Sequence, residues 1–145
     1  MLKKIMLLSL LFSFGATANC PNISGNYSCI NYEGKLYKQT VTINNVDGGI
    51  EYIFSTKDNK ISWIVNGKQN SNFIDSNANN KIKMLYRGTC QKGVFINEFL
   101  LDDKFNTVRG ISKLYLIKEG YAQENVITFT NDNTKKSKEE CRKIN

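Results

Sequence analysis

The chain has 145 residues, four cysteines, one proline, no histidine and a formal net charge of +7. That length suits one domain with a single core. The missing histidine excludes Ser-His and Cys-His nucleophile activation, histidine metal ligation and a histidine pH switch.

Residues 1–18 read as a secretory signal peptide. Lys3 and Lys4 make its positive start, residues 5–14 are a short apolar run, and Ala16-Thr17-Ala18 is a small-residue cleavage site before Asn19. The run falls short of the ~20 residues that span a bilayer, so no transmembrane segment is expected after cleavage. A retained N-terminal anchor is the alternative; Asn19 before Cys20 argues against a lipid on that cysteine. Cleavage leaves residues 19–145 as a single β domain, periplasmic or secreted. Loss of Lys3 and Lys4 lowers the charge to +5. Nucleic acid is a poor partner for an exported protein, and none is expected.

Cys20, Cys29, Cys90 and Cys141 all survive cleavage. An even count in an exported chain argues for two disulfides, with three connectivities open. A zinc site would need close ligand pairs such as C-x2-C, and there is none. No metal and no other cofactor is expected.

Apolar alternation with period two marks the strands. Residues 25–31 are the first, with Tyr27 and Cys29 on one face. Residues 35–44 follow, with Tyr37, Val41 and Ile43 together. In residues 50–56, Tyr52 and Phe54 oppose Glu51, Ile53 and Ser55. Residues 61–66 align Ile61, Trp63 and Val65. The asparagine-rich residues 67–80 break the pattern. They form a long loop or hold a short strand at 72–74, and Phe73-Ile74 either docks as a lid or rides on the surface.

Alternation resumes over residues 81–90. Residues 94–101 are apolar on both faces except at Asn97 and Glu98, and Glu98 is the one carboxylate that is a candidate for burial. Residues 107–118 make a long strand in which Gly110 marks a bulge or bend. Residues 121–130 follow. The tail, 131–145, is either a short helix or a last strand, pinned by Cys141.

Seven or eight strands joined by short turns predict an all-β fold. The expected form is an antiparallel up-and-down meander closing into a small barrel; a β-sandwich is the alternative. Tyr52, Phe54, Trp63, Tyr86, Phe99 and Tyr115, with Phe95 and Phe129, supply the bulk that lines or fills its interior.

The entry Ile23-Ser24-Gly25-Asn26-Tyr27 resembles the Gly-x-Trp step by which lipocalins enter their first strand. With Cys20-Pro21 before it and Cys29 after it, it also looks like the start of small exported bacterial β-proteins. Tyr27 stands where lipocalins have tryptophan. Arg109 and Arg142 are loose counterparts of the arginine that packs on it. The resemblance implies a barrel that carries an apolar small molecule. The expected function is therefore an exported binding protein for a lipid or other apolar ligand. The alternative is a protein-interaction or inhibitor module that meets an exported protein through its loops, where Asp102-Asp103 offers an acidic patch. Enzyme activity is not expected and no catalytic residue is assigned: the aspartates sit largely in turns, where they serve turn chemistry.

Overall fold

A computed structural model describes residues 19–76, 80–102 and 107–145. The segment read as a signal peptide, and Asp103 of the acidic pair, lie outside the described residues. The strands are β1 (Gly25–Ile30), β2 (Leu36–Val46), β3 (Gly49–Ser55), β4 (Lys60–Val65), β5 (Gln69–Ser76), β6 (Asn80–Gln91), β7 (Val94–Asp102), β8 (Thr107–Ile117), β9 (Gly120–Thr128) and β10 (Thr134–Ile144).

Nine of these strands close a ring in the order β4-β3-β2-β1-β10-β9-β8-β7-β6, and β6 returns to β4. A ring of nine cannot alternate direction all the way round, so one neighbouring pair runs parallel. That pair is β4 and β6, joined at Val65 and Gly88. The fold is thus a closed mixed barrel rather than a pure meander, and the sandwich is set aside.

The departure from a meander lies in β5. Its sequence, Gln69-Asn70-Ser71-Asn72-Phe73, has no apolar face to offer the core. It pairs along β6 from Gln69↔Arg87 to Ser76↔Asn80 instead of along β4. Asn72 Nδ2 donates to the Ser62 carbonyl at 3.3 Å, so a side chain spans the gap that a ladder would have filled. Phe73 is 62% exposed and does not act as a lid.

The tail is a strand. Ser137, Glu139 and Cys141 turn inward, while Lys136, Lys138, Glu140 and Arg142 face solvent. It seals the barrel between β9 and β1. Cys29 and Cys141 face each other across the β1–β10 seam and form one disulfide. Cys20 and Cys90 form the other. Two disulfides point to an oxidising, extracytoplasmic environment.

Gly110 makes no bulge. The β7–β8 register runs unbroken through Phe99↔Gly110, and the Phe99 ring occupies the space a side chain at 110 would fill.

The two ends of the barrel differ. At one end, residues 19–24 enter as a plug. Ile23 is fully buried. The Tyr27 hydroxyl donates to the Ile23 carbonyl at 2.8 Å, and the Tyr52 hydroxyl donates to the Pro21 carbonyl at 2.7 Å. The Tyr52 and Phe95 rings stack at 4.9 Å, and Tyr27 meets Tyr121 edge-on at 4.9 Å. This half is a filled aromatic core. At the other, open end lie the β1–β2, β3–β4 and β9–β10 connections, beside a hollow lined by Ile82, Leu101, Val108, Phe129 and Lys135.

Candidate functional site

Above the plug the barrel is hollow. A cavity of about 330 Å³ reaches from Phe95 and Leu114 at its base to Leu101 and Ile127 near the open end. That is at the small end of the roughly 300–1,000 Å³ common for ligand sites.

Its walls are of two kinds because its strands are. On β3, β4 and β7, alternation turns Phe54, Ile61, Trp63, Phe95 and Phe99 inward. On β7, β8 and β9, the inward positions one layer over are Asn97, Ser112, Gln123 and Asn125. An aromatic wall therefore faces a wall of neutral amides and a hydroxyl. None of the side chains lining the cavity is ionisable. Gln123 Nε2 donates to Ser112 Oγ at 3.0 Å and to Asn125 Oδ1 at 3.1 Å. Asn97 is only 2% exposed, and its Oδ1 has no hydrogen-bond partner among the described residues.

The residues predicted to line the interior divide five ways, Phe129 standing apart in the hollow at the open end with Leu101 and Lys135. Phe54, Trp63 and Phe99, along with Phe95, line the cavity. Tyr52 lies beneath it, spent on the plug. Tyr86 is wedged at the β4–β6 seam, edge-on to Trp63 at 4.9 Å, and its hydroxyl accepts from the Ile64 amide at 3.1 Å. Tyr115 is a correction. Leu114 takes the inward position of β8, so Tyr115 points outward and donates to Glu124 Oε1 at 2.8 Å. Glu98 is also outside, exposed and opposite Arg87. The buried polar residue of β7 is its neighbour Asn97. The inward parity of Phe95 and Phe99 carries that signal in the sequence.

Toward β1 and β2 the interior is closed by tyrosines. Tyr37 donates to Glu139 Oε2 at 2.8 Å, and Tyr121 donates to Gln39 Oε1. Burial pushes the Tyr52 and Tyr121 hydroxyls far above the ordinary tyrosine value. Burial does the same to Tyr37, and its bond to the Glu139 carboxylate adds to the effect.

Outside the barrel, a furrow of about 560 Å³ runs over Gly110, bordered by Leu85, Leu100, Ile111 and Val126, with Arg87, Glu98 and Arg109 beside them. It is larger than the interior cavity, yet Ile111 and Val126 remain 42% and 39% exposed, and among the described residues no buried polar atom is left unpaired in it. The interior cavity carries the stronger chemical demand. Comparison of the chain with protein families, with curated proteins and with solved structures finds no match.

Proposed function

We propose that this protein binds an apolar small molecule inside its barrel and acts as an exported carrier rather than as an enzyme. The observation that carries this reading is the hollow half of the interior: an aromatic wall facing a neutral polar one, above a floor sealed by residues 19–24. A barrel core with no ligand to hold is ordinarily packed to the density of an organic crystal. Here the packing stops halfway up. Apolar lining supplies affinity, and a few fixed polar groups supply orientation. A periplasmic or secreted location suits the disulfides and the leader-like residues 1–18.

The test is native mass spectrometry of the protein exported to a periplasm, with an organic extract of the same sample. A co-purifying apolar mass that solvent removes supports the carrier. A bare protein that also fails to bind the neutral dye Nile red overturns it. The protein-interaction reading, with the apolar furrow over Gly110 as its surface, would then take precedence.

A further inference from the structure

The ligand's chemistry is legible in one side chain, on the carrier reading just given. Asn97 stands opposite Ser112, Ser112 opposite Asn125, and Asn125 opposite Ser137. One polar row therefore crosses four neighbouring strands on their inner side. Most of it is self-satisfied: Gln123 serves Ser112 and Asn125, and Asn125 Nδ2 donates to Ser137 Oγ at 3.4 Å. Asn97 ends the row, and its Oδ1 is left over. Buried acceptors are costly to leave unpaired and are rare in native structures. The residue that carries it lines the cavity.

We infer that the cavity takes an uncharged, largely apolar molecule whose hydroxyl or N–H group donates a hydrogen bond to Asn97 Oδ1. An amide oxygen accepts and cannot donate, so an ether, ester or ketone oxygen gains nothing from it. An anionic head fares worse. The lining offers no cation, and the inward-facing carboxylate of Glu139 lies opposite Gln123 on the adjoining strand. Burying an unpaired charge there is prohibitive. The donor end of the ligand sits at Asn97, with its apolar body against Trp63 and Phe99.

Trp63 is the only tryptophan and lines the cavity, so its emission reports occupancy. The oxidised protein is titrated with decan-1-ol, its methyl ether and decanoate. The alcohol is expected to bind about tenfold more tightly than the ether or the carboxylate. In Asn97→Leu that advantage disappears while ether binding remains; Asn97→Ala serves as a second variant should the larger side chain disturb folding. Equal binding of alcohol and ether, tighter decanoate, or an alcohol preference that survives both substitutions overturns the donor assignment alone. Failure of all three probes and of Nile red to bind overturns the carrier reading itself.

Discussion

A glycine and an aromatic ring share one space at the Phe99–Gly110 pair. A Cβ at position 110 would overlap the ring of Phe99. Gly110→Ala must displace that ring or strain β8, and the expected cost is about 1–3 kcal/mol, typical of overpacking. Urea unfolding measures it. Phe99→Leu added to Gly110→Ala should recover part of the loss, because the two sites are coupled through that overlap. The sequence marked Gly110 as special and misread the reason: a lone glycine in a strand serves equally as a bulge or as room for a neighbour. Only the register distinguishes them. Similar parity arguments govern Asn97 and Tyr115. Each is decided by which neighbour points inward, and in β8 the run Leu114-Tyr115-Leu116-Ile117 has apolar residues at both parities.

Among the elements, β1 and β10 are held by a disulfide as well as by their ladder. They come from opposite ends of the described chain and meet at Cys29–Cys141, with a sequence separation of 112. Cys20–Cys90 spans 70 and ties the plug to β6. In the chain-entropy view, both restrict the unfolded state, each contributing about 2–4 kcal/mol. Access separates them. Cys29 and Cys141 are buried, whereas Cys20 is partly open. Graded reduction followed by alkylation and mass mapping should label Cys20 and Cys90 first. Early labelling of Cys29 would mean that the β1–β10 seam opens before the plug does. Alternation made eight of the ten strands readable. The exceptions have physical causes. In β10 the inward residues are Ser137, Glu139 and Cys141, so a polar pattern hides a wall strand. In β5 no apolar face exists to be read. The disulfide pairing depends on ring closure, which is a property of no single segment.

At the scale of the whole molecule, the interior is a store of protonated tyrosine. Tyr27, Tyr52 and Tyr121 sit in the core, and Tyr37 packs against it. Burial raises the pKa of all four above the ordinary tyrosine value of 10.0, with Glu139 also raising that of Tyr37. A raised folded-state value means that the native protein holds these protons after the unfolded chain has released them. Their contribution is fully present below pH 10. It is lost as pH climbs from there toward the folded values, because ionisation then favours the unfolded chain. Stability should therefore fall steeply above pH 10, and tyrosinate absorbance should rise together with loss of the native circular dichroism signal. Smooth ionisation of every tyrosine with the fold intact would contradict this placement.

The plug at the floor also sets the molecule's polarity as an object. Asn19 leads directly into it, and β10 runs out at Ile144 beside Asn26, so the first and last described residues both leave from the sealed end. Anything fused or anchored at either side hangs from the base of the cup. Immobilised on a sensor chip through its C-terminus, or strung head to tail in tandem, each copy would present its opening to solution unobstructed.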